Sequence, residues 1–487
     1  MKGMKHVIAL LLGSLLFGCA LSGCGADGKD GKDGQDGVGI TSIEKTASEG
    51  GVDTYTVYFS DGTSTTFEVT NGKDGQDGQD GQDGQAGEDG QDVTVSALYE
   101  AYCEKYGQIA YGEFLEQYLS LEKDDAHVIA RCLQSVVKVF SEFTEKDDDL
   151  QSGMNQAVYT GAGIVYQTSA DSVYFLTNYH VVHNEDAMGT DKISDTIHCY
   201  LYGSERAPHK ETEEGQNTYT YDEYAIPCEY VGGSITYDVA VLRADRSAVE
   251  GVNPNVQAVT LAQGYSVGQT AFTVGNPNGE GLSATKGIVS VESEQISLSI
   301  DGTERAYRAM RIDTPLYKGN SGGGLFNVEG ELIGLVNAGI LSQQNVNYAI
   351  PVSIVEGVAE NVLRYAKDGD AETQGVLKVK LGVTVCGQNS KYVYDGVAQT
   401  GKIVEECLVT EVADGSIVHS LGIQADDVIA SFFHNGEEIA LERTFTLGDF
   451  LFGVEEGDEI AFSYRRGGQL FQTQTHTVAF SDLVYFE

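Results

Sequence analysis

A mainly β fold is predicted, on three observations. Apolar residues come in short runs of strand length: Val173-Tyr174-Phe175-Leu176, Val239-Ala240-Val241-Leu242 and Leu332-Ile333-Gly334-Leu335-Val336. Residues Thr54 to Thr70 alternate in polarity around Ser60-Asp61-Gly62-Thr63, and Asp-Gly at the centre of such a pattern signals a hairpin. From Val376 to the end the short-strand pattern returns. The 487 residues allow two or three domains. Their 73 acidic and 30 basic side chains leave a net charge of -43. That excess argues against nucleic acid as a partner, because phosphate binding draws on clustered Lys and Arg. It argues equally against electrostatic adhesion to anionic lipid.

Residues 1–24 read as an export signal. Lys2 and Lys5 supply the basic start, and Val7 to Phe17 an apolar segment too short to span a bilayer comfortably. Leu21-Ser22-Gly23-Cys24 resembles a bacterial lipobox, which implies cleavage before Cys24 and a diacylglyceryl anchor on its sulfur. Leu16-Phe17-Gly18-Cys19 is a weaker competitor, and an ordinary signal with incidental cysteines is the plainer alternative. The expected location is extracytoplasmic, at the cell membrane. Residues 25–92 carry glycine at every third position in two tracts, Gly25 to Gly37 and Gly72 to Asp92, flanking a small β-hairpin module at 38–71. Period-three glycine is the collagen pattern, but the tracts lack proline and would stack Asp on Asp, so a solvated spacer is the close rival. Residues 93–125 are helical in tone, with Leu98, Tyr102, Tyr106, Phe114, Leu115 and Tyr118 near helical spacing.

The chemistry centres on Gly319-Asn320-Ser321-Gly322-Gly323. Glycine leaves the backbone free there, so Gly319 and Ser321 can aim two N–H groups at one point, the geometry of an oxyanion hole. A serine hydroxyl is a weak nucleophile and needs a base, and the base needs a carboxylate to hold its tautomer. His180 closes one apolar run and Asp238 heads another. Singly, His180 reads as a core histidine and Asp238 as a turn residue. Together the order His, Asp, Ser, each at a strand edge, points to nucleophilic catalysis.

These residues resemble the trypsin-like serine proteases of the HtrA/DegP group. The matching pieces are Gly161 to Val165, Leu176 to Val182, Tyr237 to Leu242, Val274 to Pro277, Thr285 to Ser290, Gly319 to Gly323 and Asn347 to Pro351. The resemblance implies a chymotrypsin-like double β-barrel over residues 126–365, with the site in the cleft between barrels. His180 would be general base and acid, Asp238 its orienter, Ser321 the nucleophile, and Gly319, Asn320 and Ser321 the oxyanion hole. No cofactor and no metal are implied. The chain departs from the family at Gly324, where proline is usual, and at Tyr317-Lys318, where Asn-Pro is common. Six residues before Ser321 stands Pro315 rather than a carboxylate, so cleavage after Lys or Arg is not expected. Pro315, Leu316 and Val336 suggest a small apolar pocket, and Val336-Asn337-Ala338-Gly339 a backbone edge for an extended substrate. Asp191 to Tyr224, acidic and Tyr-rich, is expected as a surface loop.

After a polar linker at 366–375, residues 376–487 resemble a bacterial PDZ domain, on Leu381-Gly382-Val383-Thr384, Leu408 to Ser416 and Leu421 to Ile429. That implies a loop at Leu381, Gly382 and Val383 holding a peptide C-terminal carboxylate; a plain β domain without ligand is the alternative. Cys103, Cys132, Cys199, Cys228, Cys386 and Cys407 show no metal-type spacing and read as small buried hydrophobes, with a Cys199–Cys228 disulfide left open. The resemblance implies a trimer, and the expected protein is an ATP-independent serine endopeptidase acting on misfolded or exported proteins. The rival is a non-catalytic holdase lipoprotein that captures peptides in the PDZ groove.

Overall fold

The structure, a computed structural model, describes residues 40–49, 52–59, 62–70 and 125–486, apart from breaks at 151, 301–302, 340–344, 368–369 and 396–399. The export signal, the Gly-x-y tracts, the helical segment at 93–124 and Cys103 lie outside the described residues. The chain divides into two units, one before and one after residue 120, each taken by itself.

In the first unit, β1 (Ile40–Glu49), β2 (Val52–Phe59) and β3 (Ser64–Thr70) form one antiparallel sheet. The alternation around Asp61-Gly62 becomes the β2–β3 hairpin: Gly62 takes φ +80°, and Phe59 N–H donates to Thr63 O at 2.9 Å. Tyr55 stacks on Phe67 across it, with centroids 5.4 Å apart. Strand β1, unmarked in the sequence, adds the third member.

In the second unit, α1 (Asp125–Leu133) leads into β4 (Val136–Lys146), β5 (Met154–Thr168) and β6 (Ser172–Thr177). A single turn, α2 (Tyr179–Val182), then precedes β7 (Thr196–Leu201), the surface hairpin β8 (His209–Glu213) and β9 (Gln216–Thr220), β10 (Ile226–Ser234) and β11 (Val239–Asp245). Strands β10-β11-β6-β5-β4-β7 close into a barrel. The first half of β4 is buried on both faces. Val137 and Val139 fill the barrel, while Val136 faces outward into a second apolar layer. The stretch 191–224 is therefore not one loop: β7 is a barrel strand, with Cys199, Tyr200 and Leu201 buried.

After α3 (Arg246–Val252), a second barrel closes in the order β12-β13-β14-β17-β16-β15. Its strands are β12 (Thr270–Gly275), β13 (Ser283–Ile300), β14 (Thr303–Ile312), β15 (Gly324–Phe326), β16 (Leu332–Gly339) and β17 (Asn347–Pro351). Met310, Ile312, Leu325, Ile333, Val336 and Ala349 lie in its interior. The two barrels share a core in which Ile164, Leu176 and Val241 of one meet Phe272, Leu332 and Leu335 of the other. Each such side chain contributes about 1.5–3 kcal/mol by leaving water.

Pro351 ends β17 and turns the chain into α4 (Val352–Tyr365). Val355, Val358, Ala359 and Val362 recur at helical spacing and bury one stripe in the shared core. The C-terminal domain docks on the same helix. It comprises β18 (Val376–Val379), β19 (Val383–Asp395), β20 (Thr400–Val412), α5 (Ile417–Ser420), β21 (Val428–His434), β22 (Glu437–Ala440), α6 (Thr444–Phe450), β23 (Glu459–Arg466), β24 (Gln469–Gln472), β25 (His476–Thr477) and β26 (Leu483–Phe486). Strands β19-β20-β21-β23-β24 form its main sheet, leaving β19 at one edge.

Three contacts fix the seam. The buried amide of Asn361 donates to Leu377 O and accepts from Leu377 N–H, both at 2.8 Å, as a neighbouring strand would. Arg308 of β14 donates to both carboxylate oxygens of Asp449 in α6, at 2.5 and 2.6 Å, and Ser353 Oγ donates to the same carboxylate at 2.8 Å. Lys378, almost fully buried, donates to Gly448 O (2.8 Å) and to the Tyr237 hydroxyl (3.2 Å), and stands 3.7 Å from the Phe452 ring centroid. Burial pulls its ammonium down to about 8, Asp449 partly offsetting that and Arg308 reinforcing it.

Candidate active site

The cleft between barrels gathers residues from four elements. Asp238, at the mouth of β11, is 0 % exposed and held at φ +53°. A non-glycine residue stays in that region only where its surroundings determine it. Here they do: His180 N–H donates to its Oδ1 (3.0 Å), Asn337 Nδ2 to its Oδ2 (2.6 Å), and Asn178 Nδ2 to its backbone O (2.9 Å). His180 Nδ1 lies 2.9 Å from Oδ2 and 3.1 Å from Oδ1. A carboxylate only accepts, so Nδ1 carries the proton and Nε2 is left as the basic nitrogen.

Ser321 comes from the second barrel. Its Oγ donates to Asn337 O at 2.9 Å. Asn337 thus touches both the carboxylate and the hydroxyl, and a bulge explains how. In β16, Val336 pairs with Ala349 and Ala338 with Tyr348, which leaves Asn337 as the extra residue. A bulge re-aims one residue out of the ladder. Asn337 was placed by sequence only on a substrate edge; its link to Asp238 was missed. The available signal was an amide inside the apolar run Leu332 to Val336 and beyond, since a buried amide must find partners.

The nucleophile loop is keyed by shape. Ala162 N–H donates to Ser321 O at 2.8 Å, across the cleft. Gly322, at φ +83°, packs so tightly that a Cβ would collide with Ala162 O and Thr177 Oγ1. Gly319, at φ +94°, leaves no room for a Cβ against Asn276 O. The Lys318 carbonyl accepts from Asn278 N–H at 2.6 Å. The peptide is trans, so tying that carbonyl one way turns Gly319 N–H the other way. The N–H groups of Gly319 and Ser321 find no protein acceptor among the described residues. Asn320 is a correction to the expected oxyanion set: its N–H donates to Tyr317 O at 3.1 Å.

The expected pocket residues separate. Val336 is also corrected: its side chain is 0 % exposed in the second-barrel core, and its N–H donates to Gly323 O, so it lines nothing. Leu316 is half-buried against that core, and Pro315 is exposed, its carbonyl accepting from Thr285 Oγ1 at 3.1 Å. Ala338 and Gly339 continue β16 against Tyr348 and Asn347, while β15 pairs only as far as Leu335. The far edge of β16 beyond Leu335 is not covered by β15. In the C-terminal domain, Leu381, Gly382 and Val383 join β18 to the head of edge strand β19. Leu381 is buried, Gly382 takes φ +72°, and its carbonyl accepts from Ala413 N–H at 2.9 Å. Among the described residues no group of three or more His, Cys, Asp or Glu is placed to hold a metal ion.

Residues 161–335 match the family model of a trypsin-like peptidase domain. The "Serine protease HtrA-like" of Staphylococcus aureus (strain USA300) is 26 % identical over 310 residues, covering 61 % of this chain. The chain spans only 35 % of that relative's length. The "Serine protease Do-like HtrA" of Lactococcus lactis subsp. cremoris (strain MG1363) is 25 % identical over 322 residues, 63 % of this chain and 68 % of that one. Among solved structures, "HtrA-type protease AlgW with decapeptide" matches 73 % of this chain and 98 % of its own, at 21 % identity and a TM-score of 0.45.

Proposed function

We propose that this chain, a relative of the HtrA-type trypsin-like serine proteases, is an ATP-independent serine endopeptidase of misfolded or exported proteins. The observation that carries the reading is the chain of contacts from His180 to Asp238 to Asn337 to Ser321. In the reaction, Ser321 Oγ turns from Asn337 O toward His180 Nε2, gives up its proton there and attacks the scissile carbonyl. The Gly319 and Ser321 N–H groups receive the developing oxyanion. His180 returns the proton to the leaving amine, and water then opens the acyl-enzyme by the same route. Asp238 keeps the imidazole oriented and steadies its charged form.

The open edge of β16 at Asn337, Ala338 and Gly339 suits an extended chain, which unfolded segments present and folded proteins rarely do. Pro315 stands where a carboxylate would select a basic side chain, and with Leu316 beside it the preferred residue at the cleavage point is a small aliphatic one. The C-terminal domain is read as a PDZ domain. Edge strand β19, with Leu381, Gly382 and Val383 at its head, would take a peptide C-terminus as an added strand. Anchoring through Cys24, a membrane-side location and the homotrimer that the family resemblance implies complete the reading.

The test is a peptide-library digest with wild type and Ser321→Ala side by side. Cleavage by wild type alone, after small aliphatic residues, supports it; equal cleavage by both removes the mechanism. One observation bears on the holdase alternative: the Ser321 hydroxyl donates to Asn337 O. An inert wild type that still suppresses aggregation of an unfolded protein selects that alternative.

A further inference from the structure

Two sulfur atoms face each other inside the first barrel. Cys199 lies in β7 and Cys228 in β10, neighbouring antiparallel strands in which Cys199 stands opposite Ile226 and Cys228 opposite Ile197. They are a diagonal pair, both turned inward among Val139, Phe175 and Leu242. Their Sγ atoms are 3.3 Å apart, the Cys228 thiol donating to Cys199 Sγ. A disulfide needs about 2.05 Å, so each sulfur would move by roughly 0.6 Å. No other described cysteine is so placed. Cys386 stands opposite Leu408 and Cys407 opposite Gly387, a one-residue offset that puts their side chains on opposite faces of the β19–β20 ribbon. Cys386 is indeed exposed and Cys407 buried, which corrects the expectation that every cysteine is a core residue. Cys132 lies apart, in α1.

We propose that Cys199 and Cys228 close to a disulfide when the chain folds in the presence of a low-molecular-weight disulfide such as oxidised glutathione. One cysteine thiolate attacks a sulfur of the oxidant, forming a mixed disulfide and releasing one thiol. The second thiolate attacks the protein sulfur of that bond and releases the other thiol. Two electrons pass from the protein sulfurs to the oxidant, and their two protons end on the released thiols.

The fold decides when this happens. The attacking species is the thiolate. In the closed barrel the hydrogen bond shared with Cys228, and then burial, hold the Cys199 thiol well above its usual range. The two residues are 0 % and 9 % exposed. Exchange is therefore fast before the barrel closes and slow afterwards, so folding locks in whichever redox state it met. The link would join residues 29 positions apart and pin the base of the exposed β8–β9 hairpin. It would also tie β7 to β10, the strand that runs on toward Asp238.

The test refolds the full chain from denaturant in two arms, one with oxidised glutathione and one with dithiothreitol. Each product is then denatured in iodoacetamide and mapped by mass. In the glutathione arm, Cys199 and Cys228 should escape alkylation and appear in one linked peptide pair, 2 Da lighter by loss of two hydrogens. That form should melt about 5–10 °C above the dithiothreitol form. It should also resist dithiothreitol until denaturant is added. Cys199→Ala should abolish the difference between arms. Alkylation of both cysteines after oxidative refolding overturns the proposal, as does a linked pair or melting gap that survives in Cys199→Ala. Should that variant not fold, the wild-type peptide map decides alone. None of these readouts depends on the chain's own catalysis, so the proposal stands or falls apart from the proposed activity.

Discussion

The two barrels have the same number of strands and serve the cleft by opposite means. The first supplies side chains, His180 and Asp238, held by hydrogen bonds whose partners lie on other elements. The second supplies Ser321 and backbone N–H groups, held by close packing around glycines in the left-handed region. A site built from hydrogen bonds tolerates a replacement that restores the bond. A site built from shape tolerates almost none, because an added methyl has nowhere to go.

The largest expected effect lies on the second barrel. Ser321→Ala should lower kcat/KM on casein by at least about 10⁴-fold with circular dichroism unchanged. Gly319→Ala comes next. Its Cβ would force the peptide between Lys318 and Gly319 out of place, and the loss of one oxyanion donor is worth about 10²–10³-fold in kcat with little change in KM. If Gly319→Ala kept full kcat, the shape half of the contrast would fail. Asn337→Ala tests the other half. It removes a charge-assisted hydrogen bond to Asp238, worth about 1.5–3 kcal/mol, and should cost about 10–100-fold in kcat. Asn337→Ser, which can restore a donor, should recover a good part of that. No recovery would mean that the bulge, not the bond, is what matters.

The smallest effect concerns the seam, where a charge is buried by packing rather than placed for chemistry. Lys378 titrates near 8 in the fold against 10.5 in an unfolded chain. Below pH 8 both states hold the proton and the fold bears the full burial penalty. Between pH 8 and 10.5 the unfolded chain binds a proton that the folded chain has released, so stability rises with pH across that window. The gain amounts to up to about 3 kcal/mol. Tyr237, pushed up to about 12 by burial, opposes the trend only above about pH 10. Urea midpoints at pH 7, 8, 9 and 10 should climb more in wild type than in Lys378→Met. Parallel curves would place the ammonium in water.

How much of this was legible beforehand depends on whether a feature is a residue type or a register. His180, Asp238 and Ser321 stand out because imidazole, carboxylate and hydroxyl carry their chemistry wherever they are placed. The hairpin at Asp61-Gly62 is legible because that turn demands those residues. Val336 was misjudged because β16 is buried on both faces there, so an apolar side chain carries no sign of which side it serves. The hold of Asn337 on Asp238 was missed because a bulge re-aims that residue out of the ladder, and only its polarity beside an apolar run hints at it. Strand β7 was hidden because Thr196 to Leu201 is six residues long and mixes His, Cys and Tyr among its apolar members. Cys386 was misjudged because exposure in a strand depends on its partner, and the partner is twenty-two residues away at Leu408.

The rest position of the Ser321 hydroxyl bears on how the protein should meet inhibitors. Its O–H donates to the Asn337 carbonyl, and a peptide amide donating to that same oxygen would set the hydroxyl loose toward the imidazole. A compact organophosphonate brings no amide to make that exchange. Such a warhead should therefore label the serine slowly by itself and faster once a short, uncleavable β-strand peptide lies alongside, so that a weak probe signal would reflect an unprompted nucleophile rather than a dead one.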